Sequence, residues 1–125
     1  MGGGSKKERK ALSKLFDACT FGQIDNIKKY LTDHPALITM CDEKLYTALH
    51  ISVLGGQLSS VLVLLNWGAD PNACTEYLKT PLYLAVRNGY LAITEKLIER
   101  GAEPWRKTSS SKTCLHAAVE MALSD

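Results

Sequence analysis

A ten-residue motif recurs along this chain at a fixed spacing. The segments TALHISVLGG, TPLYLAVRNG and TCLHAAV begin at positions 47, 80 and 113, so each copy starts 33 residues after the one before it. A period of roughly 20 to 50 residues is typical of repeat proteins, in which each unit buries its apolar face only against its neighbours. The period therefore predicts a stack of similar units rather than one core shared by the whole chain.

Each unit has the pattern of two short helices. Thr47 and Thr80 are placed as N-caps, and Pro81 follows at the first helical position, where its missing N–H costs nothing. Glycines stand where the first helix must turn into the second, and again where the second helix ends. The pattern predicts one helix–turn–helix pair per repeat, followed by a connecting segment.

The period, the helix pattern and the motif T-P-L-H-x-A together resemble the ankyrin repeat. The resemblance implies an all-α solenoid of about four stacked helix–turn–helix pairs joined by hairpin-like fingers. Residues 1–6 are expected to be a flexible N-terminus or a cloning remnant, and residues 7–125 the repeat domain. The repeats fall at about 7–40, 41–73, 74–106 and 107–125, the last of them incomplete.

The chain departs from the ankyrin pattern in its fingers. The glycine expected two residues before each motif threonine is replaced by Leu45, Leu78 and Ser111. A turn that needs φ > 0 is strained by leucine, so we expect these fingers to adopt another turn or to lean on a partner. Trp105 replaces the asparagine that stands one period earlier as Asn72, which predicts a change in the hydrogen bonding of that loop.

The last repeat ends inside or just after its first helix. A repeat that lacks its second helix leaves apolar surface uncovered. We therefore expect the chain to be a piece of a longer array, with something covering that end as the alternative.

Composition excludes several function classes. With 15 basic and 13 acidic residues the net charge is +2, which gives no general attraction to polyanions and no support for nucleic-acid binding. No apolar run reaches the roughly 20 residues of a membrane span, and the N-terminus lacks the apolar core of a secretory signal. We expect an intracellular location, in the cytoplasm or alternatively the nucleus, and four reduced cysteines.

Catalytic and metal chemistry find no support in the residue spacing. Cys114 and His116 are two residues apart on a predicted helix, where they do not face each other, so they cannot form a nucleophile–base pair locally. No C-x₂-C or H-x₃-H pair and no phosphate-binding glycine motif is present. We expect no enzyme activity, no cofactor, no metal site and no small-molecule substrate. The resemblance gives His50 and His116 a structural role, tying helix to loop.

The resemblance also implies a binding surface on the fingertips and the inner face of the first helices. Carried over onto this sequence, that surface comprises Phe21, Glu43, Lys44, Tyr46, Leu54, Glu76, Tyr77, Lys79, Arg87, Asn88 and Lys112. We favour Phe21, Tyr46 and Tyr77 as contacts, because exposed aromatic side chains are typical of interface hot spots. Arg87 is the preferred charged contact, because its planar fork can hold a carboxylate.

Two tryptophans, Trp67 and Trp105, follow the second helices at the opposite edge. Each is interpreted as a lid over a neighbouring repeat or as a second contact, with the lid favoured.

These patterns predict a non-catalytic protein–protein interaction module, an adaptor, scaffold or substrate-receptor surface for a partner protein or peptide. One alternative is the targeting region of a larger multidomain protein, such as a substrate receptor for ubiquitin ligation. Another is a membrane-attached regulator, held by myristoylation of Gly2 and the basic residues that follow between positions 6 and 10. The myristoylation pattern needs Ser or Thr at position 6, where Lys6 stands and Ser5 is one place early.

Overall fold

A computed structural model describes residues 5–123, and within them the backbone forms seven α-helices and one short 3₁₀ turn. The elements are α1 (Lys6–Thr20), α2 (Ile24–Asp33), the 3₁₀ turn (Pro35–Ile38), α3 (Ala48–Leu54), α4 (Leu58–Asn66), α5 (Pro81–Arg87), α6 (Leu91–Glu99) and α7 (Cys114–Leu123). The same residues contain no β-strand, only an isolated antiparallel bridge between Cys41 and Thr47. Gly2 lies outside the described residues.

The helices pack as two layers. In the inner layer α1 contacts α3, α3 contacts α5, and α5 contacts α7, while in the outer layer α2 contacts α4 and α4 contacts α6. Each inner helix up to α5 also packs on the outer helix that follows it in the chain. This arrangement confirms the predicted all-α stack of helix pairs.

Caps and turns fall where the repeat pattern predicts them. The hydroxyls of Thr47 and Thr80 accept hydrogen bonds from the backbone N–H groups of His50 and Tyr83, so both threonines are N-caps. Gly56 and its equivalent one repeat later turn the chain between helices at φ of +67° and +73°, a region that an L-residue rarely adopts.

The first repeat begins differently from the others. Ser5 caps α1 in a capping box with Glu8, so the helix begins one residue before the predicted start of the repeat domain. Ser13, which occupies the place of the motif threonine, therefore lies inside α1 and caps nothing. The first two turns of α1 stand where the later repeats have a finger.

Burial follows the motif until the end of the stack. Leu15, Leu49 and Leu82 occupy equivalent places on successive inner helices and are fully buried. Leu115 occupies the same place on α7 and is 73% exposed, because no element of residues 5–123 packs on its far side.

Two apolar residues of α6 are exposed although their equivalents one repeat earlier are not. Leu91 and Ile98 are exposed, whereas the equivalent Leu58 and Leu65 of α4 are covered. The reason is that α6 covers α4, and within the described residues no further outer helix covers α6.

Candidate protein-interaction surface

Three fingers project from the stack and share one backbone geometry. Finger 1 comprises residues 41–47, finger 2 residues 74–80 and finger 3 residues 107–113. In finger 2 the N–H of Thr75 donates to the carbonyl of Lys79 at 3.0 Å, and the N–H of Leu78 donates to the carbonyl of Thr75 at 2.9 Å. Equivalent bonds close fingers 1 and 3. Each finger is thus a tight hairpin-like turn. In such a turn the residue two places before the motif threonine must take a special backbone conformation.

That residue keeps a positive φ even where it is leucine. Leu45, Leu78 and Ser111 have φ of 65°, 59° and 60°, in the left-handed region. The prediction that these fingers adopt another turn is therefore wrong, because the hydrogen-bonded turn fixes the backbone whichever side chain is present. This conformation costs an L-residue roughly 1–2 kcal/mol. Leu45 and Leu78 remain 40% and 50% exposed, so burial within the chain offsets only part of that cost.

Backbone hydrogen bonds join the fingers into one row. The N–H of Glu76 in finger 2 donates to the carbonyl of Lys44 in finger 1 at 2.9 Å. The N–H of Ser109 in finger 3 donates to the carbonyl of Tyr77 in finger 2, also at 2.9 Å. Fingertip side chains one period apart therefore stand next to each other and present a continuous surface.

A buried histidine anchors finger 2 to the helix beneath it. The backbone N–H of Thr47 points at His50 Nδ1, 3.1 Å away, so Nδ1 must be the acceptor. The proton is then on Nε2, which donates to the carbonyl of Lys79 at 3.2 Å. Burial lowers the pKa of His50 to about 4, and the imidazole is neutral near pH 7. The tie between helix and loop that the resemblance implies for His50 is confirmed.

The equivalent place on α5 is occupied by Tyr83, and the tie is absent there. Tyr83 is only 4% exposed, and its hydroxyl makes no hydrogen bond with another residue among 5–123. Instead its side chain lines a cleft of about 180 Å³ between fingers 2 and 3. This basic cleft is lined by Tyr77, Lys79, Tyr83, Arg87, Thr108, Ser109, Ser110 and Lys112.

A larger and more open cleft of about 580 Å³ lies between α1 and finger 1. This α1 cleft is lined by Arg9, Leu12, Ser13, Phe16, Asp17, Cys41, Asp42, Glu43 and Lys44. Only Glu43 and Lys44 were predicted as contacts. The helical spacing of Arg9, Ser13 and Phe16 places them on one face of α1, and that spacing was the signal available in the sequence.

The predicted contact residues divide into exposed and engaged side chains. Phe21, Leu54 and Tyr77 are exposed, as a contact surface requires. Tyr46 is half-buried, its ring packed edge-on against His50 with centroids 5.7 Å apart, so its predicted exposure is wrong. The Asn88 amide donates to the carbonyl of the fourth residue before it at 2.7 Å, which gives it a structural role at the end of α5.

The remaining predicted residues are charged side chains of the fingers and of the end of α5. Lys79, Arg87 and Lys112 converge on the basic cleft, whereas Glu43 and Lys44 line the α1 cleft at the other end of the row. Glu76 is exposed on finger 2 and lines neither cleft. The structure thus brings four of the predicted residues together at the basic cleft, these three cations and Tyr77, and two at the α1 cleft.

The two tryptophans behave differently from the favoured interpretation. Trp105 is 68% exposed and is not a lid, while Trp67 is about two-fifths exposed. The side chain of Asn72 binds the next repeat on two sides, donating to the carbonyl of Gly101 at 3.0 Å and accepting from the N–H of Glu103 at 2.8 Å. An indole cannot accept in this way, so the substitution at Trp105 removes that bridge.

The thiols and imidazoles have structural surroundings. All four cysteines are free, and burial raises the pKa of the Cys19 thiol to about 11, which favours the protonated thiol near pH 7. His116 Nδ1 accepts from the backbone N–H of Thr113 at 3.0 Å, the same capping contact that His50 makes. Across residues 5–123, no three His, Cys, Asp or Glu side chains come together as a possible metal site.

The family model for ankyrin repeats matches residues 15–108 as three copies. The chain belongs to the ankyrin-repeat family. Ankyrin repeats are in general protein–protein interaction modules, and the family is typically non-catalytic. The match begins inside α1 and ends before α7, so the first part of α1 and all of α7 lie outside it. The comparison with curated proteins finds no match. Of the helices in the described part of the chain, none is long and apolar enough to cross a membrane.

Proposed function

We propose that this ankyrin-repeat chain is a non-catalytic recognition module, an adaptor or substrate-receptor surface, that binds a partner protein through its fingertips and the inner face of its helices. The observation that carries the proposal is the pair of leucines, Leu45 and Leu78, held exposed at strained left-handed positions. Strained and apolar side chains that a chain displays to solvent are typical of binding sites.

The arrangement of the fingers favours an extended partner segment. Adjacent fingers are joined by backbone hydrogen bonds, so their tips are held in place before binding and little ordering entropy is lost on association. Tyr77 and Leu78 stand next to each other on finger 2 and are both at least half exposed, which provides an apolar anchor near the middle of the row. Lys44 and Glu76 flank that anchor as polar rim.

The test is a comparative capture experiment from cell lysate. The wild-type chain, a Tyr77→Ala/Leu78→Gly variant and a Trp105→Ala control are immobilised, after circular dichroism has shown equal helix content. Trp105 is the matched control because it is equally exposed and aromatic but lies outside the fingers and both clefts. We expect proteins that are retained by the wild type and the control but lost with the finger variant. Equal recovery with all three chains contradicts the assignment of the surface.

A further inference from the structure

The basic cleft between fingers 2 and 3 is lined mostly by polar side chains, and its charges are unbalanced. Three cations, Lys79, Arg87 and Lys112, line it, and no carboxylate does. Lys112 Nζ forms a salt bridge of 2.7 Å with Glu120 Oε1 on α7. Neither Lys79 nor Arg87 forms a salt bridge with another residue among 5–123. Within residues 5–123, therefore, a single carboxylate forms a salt bridge with any of the three cations.

The cleft also carries a phenol hydroxyl. Tyr83 lines it, and the phenol interacts electrostatically with Lys112. The residue as a whole is almost completely buried, but its hydroxyl is not one of the buried polar atoms that lack a hydrogen-bond partner. At the equivalent place His50 uses both ring nitrogens for bonds within the fold. Tyr83 thus leaves a donor for a ligand where the earlier repeat has none.

The hydroxyl groups of the cleft match the same chemistry. Ser109 and Ser110 line it from finger 3, opposite Arg87 at the end of α5. Hydroxyls, ammonium groups and a guanidinium fork are the donors that hold carboxylate or phosphate oxygens, the fork in a bidentate manner. The volume of about 180 Å³ is below the roughly 300 Å³ at which ligand pockets begin, so it suits one side chain rather than a free metabolite.

We infer that the basic cleft binds an acidic side chain of the partner's peptide segment, with Arg87 as the principal anchor and Tyr83, Ser109 and Ser110 as hydroxyl donors. This inference rests on the proposed function, because it names the chemistry of the partner at one place on that surface. Tyr77 lines the cleft and Leu78 follows it on the fingertip. In the partner's peptide, the acidic residue therefore has an apolar neighbour that contacts these two side chains. The small net charge of +2 favours a local contact of this kind over a broad attraction to nucleic acid.

The test is a selection from a random library of displayed dodecapeptides. The baits are the wild-type chain, Arg87→Gln and Lys28→Gln, of which the last removes the same charge from an exposed site on α2. We expect peptides enriched in Asp or Glu next to an apolar residue with the wild type and with Lys28→Gln, and loss of the acidic bias with Arg87→Gln. Peptides without an acidic bias, the same bias with Arg87→Gln, or no enrichment at all would overturn the inference.

The proposed function has a separate outcome in the same experiment. A Leu45→Gly/Leu78→Gly bait reports on the fingertips without touching the cations. If peptides bind the wild type without an acidic bias but do not bind this bait, the finger surface is supported and only the inference about the basic cleft is contradicted. Peptides that bind this bait as tightly as the wild type contradict the finger surface itself.

The nature of the acid is resolved with one enriched peptide. Its acidic residue is replaced by the corresponding amide residue, Asn for Asp or Gln for Glu, and in a second synthesis by phosphoserine. Dissociation constants are measured by fluorescence anisotropy. We expect the amide to bind at least about tenfold more weakly to the wild type, and Arg87→Lys to bind the acidic peptide at an intermediate level. The tighter of the acidic and phosphorylated peptides identifies carboxylate or phosphate as the preferred anion. An amide peptide that binds equally well contradicts the inference.

Discussion

At the scale of single residues, the fingertip leucines show how a backbone can be fixed against the preference of its side chain. Two hydrogen bonds close each finger and hold Leu45 and Leu78 at positive φ. Each leucine stays largely exposed, so its side chain gains little burial in return. The sequence showed that glycine was missing, but it could not show that the turn would keep its geometry without it.

The strain at Leu78 can be measured by comparing two substitutions. Leu78→Ala removes the side chain but keeps the Cβ that causes the clash, whereas Leu78→Gly removes the clash at the cost of some backbone entropy. We expect Leu78→Gly to be more stable than Leu78→Ala by roughly 1 kcal/mol in urea unfolding. Equal stability of the two variants would show that the left-handed conformation costs nothing at this position.

The buried His50 links stability to pH. Its pKa is about 4 in the folded protein and about 6.5 when unfolded, because burial disfavours the charged ring. Between these values the unfolded chain binds the proton and the folded chain does not, so stability falls as pH drops from 6.5 towards 4. The loss from this group is on the order of 3 kcal/mol. Urea unfolding at pH 7 and pH 4.5 should show a smaller drop for His50→Gln than for wild type; identical drops contradict the assignment.

At the scale of the helix, the motif leucines separate position in the repeat from burial. Leu82 on α5 and Leu115 on α7 occupy the same motif place, but the former is 1% exposed and the latter 73%. The difference arises because α5 lies between α3 and α7, whereas α7 has a neighbour on one side only within the described residues.

We expect Leu82→Ala to destabilise the fold by roughly 2–5 kcal/mol, as for truncation of a buried leucine. Leu115→Ala should cost less than about 0.5 kcal/mol, because it removes contacts with water rather than with protein. Chemical denaturation of both variants checks the pair. Similar losses would mean that α7 is packed on both sides in solution.

The helices follow from the sequence, whereas several side-chain contacts do not, for a physical reason. The 33-residue period fixes which residues share a place, so the caps at Thr47 and Thr80 and the tie at His50 followed from it. It does not report the neighbours of that place, which is why the exposure of Leu91 and the packing of Tyr46 against His50 were not foreseen. The hydroxyl of Tyr83 in the basic cleft depends on two fingers at once and has no local signal.

At the scale of the whole molecule, the two ends of the stack differ. The N-terminal end is closed by α1, which begins with a capping box and carries exposed charged side chains along its outer positions. The C-terminal end presents apolar side chains from α6 and α7 to solvent, among them Leu91, Val119 and Leu123. In a repeat array each unit is stabilised by its neighbours, so a unit with one neighbour is the least stable.

Hydrogen exchange should reveal this polarity. We expect backbone amides of α7 to exchange faster than those of α3, because opening the last unit breaks one helix interface and opening a central one breaks two. Mass spectrometry of peptides covering residues 113–123 and 47–66 compares them directly. Equal protection of both segments would show that the stack unfolds as one unit.

The most direct test of partner binding at the fingers is site-specific photo-crosslinking in cells. A benzoyl-phenylalanine is introduced in place of Tyr77 in one chain and in place of Trp105 in another, since both side chains are exposed aromatics and only the first belongs to a finger. We predict a discrete crosslinked partner from position 77 and none from position 105. A partner crosslinked only from position 105 would contradict the account and move the binding surface to the loops behind the second helices.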